Sequence, residues 1–264
     1  MTGMDWTRTP GLLKGRTAII TGAGGGIGRG LAEALGLAGA NVVIAARRGT
    51  TGEETAALVR KSGAEALAVE TDVSNRAAVD RMVAEAVRSF GGIDIAIHNA
   101  SSGLSGKSFK LEDISDADWD EQVSVALDAA FHLAQAVFPY LRDTGRGRFI
   151  VLNSSQGLHG GAMNPVYTAT KSAQRGFVKA LAREWGPYGI VVNAVAPAAL
   201  TDAAKAYLEA DPARSAAAMK SFPLGRMGDM RDDIGTAVVA LCSDYWRYVT
   251  GLTVPVDGGY YTAL

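Results

Sequence analysis

Tyr167 and Lys171 stand four residues apart, with Ser154 upstream of both. On a helix, residues four apart share a face, one turn above the other. An ammonium beside a phenol favours the phenolate, drawing the tyrosine below its ordinary pKa of about 10. That gives a proton donor and acceptor usable near neutral pH. A serine hydroxyl from another element can hold the oxygen being protonated. The trio suits the interconversion of a carbonyl and an alcohol. Alone, the pair is weak, since about a quarter of one such match arises by chance in a chain of this composition. A surface lysine one turn from a packed tyrosine would read the same, so the surrounding elements decide.

Those elements alternate. Short β-branched runs fall at Thr17–Thr21, Asn41–Ala46, Ala64–Val69, Ile93–His98, Arg148–Ser154, Ile190–Val195 and Leu252–Val256. Helical patterns lie near Gly26–Ala38, Gly52–Ser62, Asn75–Phe90, Asp116–Leu141, Val166–Trp185 and Asp229–Cys242. Near-continuous apolar strands such as Phe149-Ile150-Val151-Leu152 read as buried on both faces. Strand–helix alternation of this kind predicts parallel βαβ units with right-handed crossovers. The expected fold is α/β: a single Rossmann-type, doubly wound parallel sheet of about seven strands, flanked by helices on both faces. No linker or repeat divides the chain, so residues 1–264 read as one domain, with 1–12 as an N-terminal extension. The stretch 197–228, with a short helix around Ala203–Ala218, is expected outside the carboxyl ends of the strands. Its Leu200, Tyr207, Leu208, Met219 and Phe222 suit either an apolar lid over a substrate or a plain packed insertion.

Where the first strand gives way to the first helix, the chain reads Thr21-Gly22-Ala23-Gly24-Gly25-Gly26-Ile27-Gly28. Glycines there permit a tight turn and close approach of backbone to a pyrophosphate, while the helix amino terminus offers free N–H groups. The second strand ends in Ala46, where an acidic residue would grip ribose hydroxyls, and Arg47 and Arg48 follow. Guanidinium groups pair well with a 2′-phosphate, which favours NADP(H) and leaves NAD(H) open.

Composition adds boundaries. The 264 residues are 48% hydrophobic and 20% charged with net charge −1, which gives no electrostatic reason for a nucleic-acid or membrane partner. Cys242 is the one cysteine, so neither an intrachain disulfide nor a structural zinc site is expected. His98, His132 and His159 lack ligand spacing and read as structural. With no apolar leader pattern at Met1–Leu13 and no 18-residue apolar run, a cytoplasmic location is expected.

Taken together, these residues resemble the short-chain dehydrogenase/reductase family from about Leu13 to Tyr260. Its Thr-Gly-x-x-x-Gly-x-Gly pattern matches Thr21 to Gly28, and its adenine-contacting Asp-Val matches Asp72-Val73. Its Asn-Asn-Ala-Gly segment is similar to His98-Asn99-Ala100-Ser101, and its catalytic serine, tyrosine and lysine match Ser154, Tyr167 and Lys171. Pro223-Leu224-Gly225-Arg226, Thr250-Gly251 and Val256-Asp257-Gly258-Gly259 look like the closing segments. The resemblance implies Tyr167 as general acid and base, with Lys171 on the nicotinamide ribose and Ser154 donating to the substrate oxygen. Ser155 competes for that last role, but Ser154 has the family's usual spacing. It further implies that Gly22, Gly24, Gly26, Ile27, Gly28, Asn99 and Ala100 shape the cofactor crevice, and that Pro197 and Thr201 border the nicotinamide.

Three departures stand out. The family's fourth catalytic member, an asparagine that holds a water linking lysine to solvent, falls at Ala126. His98 and Ser101 replace the outer residues of Asn-Asn-Ala-Gly. Pro197-Ala198 replaces Pro-Gly, and Thr201 comes one residue early. The expected function is hydride transfer between NADP(H) and a ketone/secondary alcohol pair, with a small apolar substrate. Ala126 motivates the alternative, a cofactor-binding protein with little or no catalysis. An enoyl reductase would show wider tyrosine–lysine spacing. The family's habit of pairing through helices like Asp116–Leu141 and Val166–Trp185 implies a homo-oligomer, dimer or tetramer; Phe131 and Phe177 on those helices suit either the paired face or the core.

Overall fold

The computed structural model describes residues 11–211, 215 and 218–262. Most of the expected N-terminal extension and part of the Ala203–Ala218 helix lie outside that set, as does the Tyr207 side chain. Strands β1 (Thr17–Thr21), β2 (Asn41–Ala46), β3 (Ala66–Glu70), β4 (Ile95–His98), β5 (Arg148–Leu152), β6 (Val191–Pro197) and β7 (Thr253–Val256) form one sheet. Its order is β3-β2-β1-β4-β5-β6-β7, and every pairing is parallel. After β3 the chain crosses back to lay β4 on the other side of β1. The two halves wind outward from the β1/β4 seam, and a crevice opens beyond its carboxyl ends.

Side chains alternate across each strand, and both faces are covered. From β1, Ala18 and Ile20 enter one core with Leu31 and Leu35 of α1 (Gly26–Leu37), Val59 of α2 (Gly49–Lys61) and Ile234. Ile19 enters the opposite core with Met82 of α3 (Arg76–Phe90), Leu133 of α5 (Ala129–Asp143) and Val178 of α7 (Pro165–Trp185). Each fully buried leucine, isoleucine, valine or methionine among them stabilises the fold by roughly 1.5–3 kcal/mol. Local signals set the helix ends. Asn75 accepts from the Ala78 N–H to cap α3, Gly91 closes it at φ 82, and α7 opens on Pro165.

Several boundaries differ from the sequence expectation. Strand β4 starts at Ile95 because Asp94 turns its carboxylate to the Thr17 N–H, at 2.9 Å. Strand β5 stops at Leu152, whose carbonyl accepts from Lys171 Nζ. Strand β3 runs Ala66–Glu70 rather than Ala64–Val69, and β6 reaches Pro197. The helix expected over Asp116–Leu141 is interrupted. Between α4 (Asp116–Val123) and α5, residues Ser124–Asp128 form a π-turn in which the Ala129 N–H reaches back to the Ser124 carbonyl. No apolar period signals this extra residue, and such turns cluster at functional sites.

The 197–228 stretch leaves β6 and returns beside it. Leu200 N–H donates to the Gly228 carbonyl at 2.8 Å, and Gly228 N–H to the Ala198 carbonyl at 2.9 Å. Within it, Thr201 caps α8 (Asp202–Glu209) by accepting from Ala204 N–H. Phe222 is buried and packs against Tyr260, with ring centroids 5.1 Å apart. Among the described residues, no helix is long and apolar enough to cross a membrane.

Candidate active site

A groove of about 570 Å³ lies over the carboxyl ends of the strands. The β1–α1 turn forms its floor. Gly22 has φ +66, and a Cβ there would come within 2.8 Å of Ala100 Cα. A Cβ at Gly28 would strike the Gly22 carbonyl at 2.4 Å and the Asn99 amide at 2.5 Å. Only glycine fits either place. Asn99 pins the turn by donating from Nδ2 to the carbonyls of Thr21 (3.0 Å) and Gly22 (3.1 Å). Thr21 Oγ1 accepts from the backbone N–H of Asn99 and of Ala100, and lies 3.4 Å from His98 Nδ1. Helix α1 then opens with no side-chain cap, so its first N–H groups face the groove unclaimed.

A nicotinamide dinucleotide fits these residues. Gly24, Gly26 and Ile27 line the groove beside the bare helix end, Asp72 and Val73 border it at one side, and Arg47 and Arg48 stand exposed at its edge. Asp72 holds its own turn, accepting from the Ser74 N–H and hydroxyl. At the far end Pro197, Thr201, Tyr167 and Lys171 close the same groove.

Tyr167 and Lys171 reach that end from α7, and Ser154 stands beside the Tyr167 phenol from the segment after β5. Ser154 accepts from the Gln156 N–H at 3.2 Å, and its hydroxyl stands close enough to the Tyr167 phenol to favour the phenolate. Ser155 instead begins the short helix α6 (Gln156–His159), its carbonyl accepting from Leu158 and His159. Lys171 Nζ lies 5.6 Å from the centre of the Tyr167 ring. That ammonium turns inward, donating to the carbonyl of Leu152 at 2.6 Å and to Gln174 Oε1 at 3.2 Å.

The electrostatics correct one expectation. The Tyr167 phenol is shifted up rather than down: its burial outweighs the opposing hydrogen bond from Ser154. Burial likewise pushes the Lys171 ammonium down, to about 8. His98, at the end of β4, is pushed down to about 3 by burial and by the Lys171 charge, with the Ala126 backbone opposing. These three groups form a desolvated cluster in which Lys171 carries the only positive charge.

Comparison with known proteins fixes the lineage. A family profile described as Enoyl-(Acyl carrier protein) reductase matches residues 22–261. A 2-dehydro-3-deoxy-D-gluconate 5-dehydrogenase of Bacillus subtilis is 36% identical over 248 residues, 94% of this chain and 95% of that protein. The chain belongs to the short-chain dehydrogenase/reductase family. A 3-oxoacyl-(acyl-carrier-protein) reductase of Pseudomonas aeruginosa is 35% identical over 250 residues, covering 94% of this chain and 98% of its own. A 7α-hydroxysteroid dehydrogenase solved with NADH and 7-oxo glycochenodeoxycholic acid superposes with a TM-score of 0.87 at 29% identity, over 98% of both chains. As a short-chain dehydrogenase/reductase, the protein is an NAD(P)-dependent oxidoreductase.

Several groove residues escaped the motif reading. Thr51, Thr71, Gly103, Val125, Leu152 and Asn153 also line it. Glu70 accepts from the Gly49 N–H at the start of α2, next to the two arginines. Thr51 was hidden because the helix was expected from Gly52 whereas α2 starts at Gly49; Glu70 was legible as the last residue before Thr71-Asp72. Gln174 carried no signal beyond sharing the face of Tyr167 and Lys171.

Proposed function

We propose that this cytoplasmic enzyme interconverts a ketone and a secondary alcohol with NADP(H). Tyr167 acts as general acid in reduction and as base in oxidation. The observation that supports this best is Tyr167 and Lys171 at one end of a groove whose other end carries two guanidinium groups, with Ser154 beside the phenol. A bound nicotinamide dinucleotide would supply or accept the hydride. Ser154 holds the substrate oxygen, and Tyr167 gives it a proton; the upward shift of the phenol keeps it protonated for that step. Lys171 has three N–H donors, two already used inward, which leaves one for a ribose hydroxyl.

Arg47 and Arg48, with Ala46 in place of an acid, favour the 2′-phosphate of NADP(H). An apolar substrate is favoured by the aromatic side chains after Ser154 and at the chain's end. His159 stacks on Tyr261 at 5.9 Å, and Phe222 lies against Tyr260. Copies are proposed to associate through α4, α5 and α7, where Trp119 and Phe131 are 46% and 47% exposed. Light scattering would read a dimer or tetramer.

The purified protein, assayed with NADPH and NADH against aliphatic, aromatic and steroid ketones and a β-ketoacyl thioester, should turn over at least one carbonyl with NADPH. Tyr167→Phe should cut that rate about a thousandfold, leaving NADPH affinity unchanged. A Tyr167→Phe variant as fast as wild type would refute the assignment. Arg47→Ala should weaken NADPH about tenfold and NADH hardly at all, read by titrating nicotinamide fluorescence.

A further inference from the structure

Lys171, Ala126 and Asn153 converge on one buried side chain that no motif points to, Gln174. It lies three residues after Lys171 on α7 and is fully buried. Its Nε2 donates to the Ala126 carbonyl at 2.9 Å, and its Oε1 accepts from Lys171 Nζ at 3.2 Å. Asn153 Nδ2 braces the group, donating to the Lys171 carbonyl at 2.8 Å and to Gln174 Oε1 at 3.4 Å.

We propose that Gln174 is a positioning residue that holds the Lys171 ammonium, tying it to the Ala126 carbonyl in the π-turn between α4 and α5. This rests on the reading that Lys171 serves the reacting end of the groove. Burying an amide costs free energy unless both its ends are bonded, and methionine would fill the same space without that cost. Methionine would, however, take a partner from both the Ala126 carbonyl and the Lys171 ammonium, so the glutamine serves the two together. The amide's orientation is also forced. Facing Ala126, only the NH₂ end can donate to a carbonyl; facing Lys171, only the oxygen can accept from an ammonium. The π-turn matters because Ala126 sits in its middle, at the place of the asparagine that the family resemblance leads one to expect. Where that resemblance implies a side chain and a water, this chain puts a backbone carbonyl and a glutamine.

The titratable groups facing Lys171 are Tyr167 on its own helix and His98 from β4. Burial keeps the first protonated and the second neutral. Neutral acceptors are thus what support the ammonium, and removing one should make protonation harder.

The test is a titration of Lys171 in the cofactor-free protein by NMR of labelled lysine side chains, with the signal assigned by its loss in Lys171→Met. Gln174→Met should lower the Lys171 midpoint by at least one pH unit. Gln174→Glu, which places a carboxylate against the ammonium, should raise it by at least one. The pH dependence of NADPH affinity, measured by fluorescence, should move in step. Midpoints that stay at the wild-type value in either folded variant would overturn the proposal. Should Gln174→Met not fold, Gln174→Glu decides alone. Failure of the functional reading is separate: wild-type protein would then reduce no ketone, whatever the lysine titration shows.

Discussion

The two ends of the sheet bury cations in opposite ways. At the amino end, Arg16 and Arg148 are 3% and 2% exposed, and one carboxylate answers both. Asp244 accepts from Arg16 at 2.6 Å and from Arg148 at 3.3 Å. Arg16 also donates to the Cys242 carbonyl and Arg148 to that of Ser243, so the guanidinium forks are largely spent. The hydrogen bond from Arg16 holds Asp244 below the ordinary carboxylate range. At the carboxyl end, Lys171 is 4% exposed and meets only neutral acceptors, and its pKa falls to about 8. A paired guanidinium stays charged at any working pH and serves as a fastener. A desolvated ammonium without a counter-charge titrates near neutrality, where it can take part in proton traffic.

The contrast can be broken by mutation. The largest expected effect is Tyr167→Phe, whose thousandfold loss of turnover should come with a melting temperature within a degree or two of wild type. Asp244→Ala should do the reverse. It leaves two like charges facing each other and should cost about 2 kcal/mol of stability, discounted because the carboxylate is open to solvent. Urea denaturation would read that loss, while KM for the carbonyl stays put; a shifted KM with unchanged stability would erase the distinction between the two ends.

Lys171→Met sharpens the same point through pH. A cation whose folded-state pKa lies below its unfolded value penalises folding when charged. The penalty is fully present below about 8 and disappears as pH rises through 10.5. Relative to wild type, Lys171→Met should therefore lose up to about 3 kcal/mol of advantage between pH 7 and pH 10.5. A flat difference across that window would mean Lys171 is not desolvated as described. The smallest effect is expected from Ala126→Asn. With the Ala126 carbonyl already bonded to Gln174, an added asparagine should raise turnover by no more than about twofold, and a large gain would mean the lysine lacks its support.

Much of the molecule was written in local patterns. The strands lie within a few residues of their expected bounds because sequences buried on both faces must be apolar throughout, as in Phe149-Ile150-Val151-Leu152. The glycine turn was legible because Gly22 and Gly28 occupy backbone positions that no side chain tolerates. The π-turn was not, since Ser124–Asp128 keeps an ordinary helical composition and differs only in which carbonyl each N–H reaches.

By itself, then, the sequence determined the element order, the glycine turn and the set Ser154, Tyr167 and Lys171 at the end of the groove proposed to react, since each depends on neighbours within a few turns of chain. Tertiary structure decided the charge state of that end. It set burial against proximity at Tyr167, turned Lys171 inward, and brought Gln174 to Ala126 across 48 positions. Desolvation and long-range hydrogen bonding depend on what the whole fold packs around a group, and no local pattern encodes that sum.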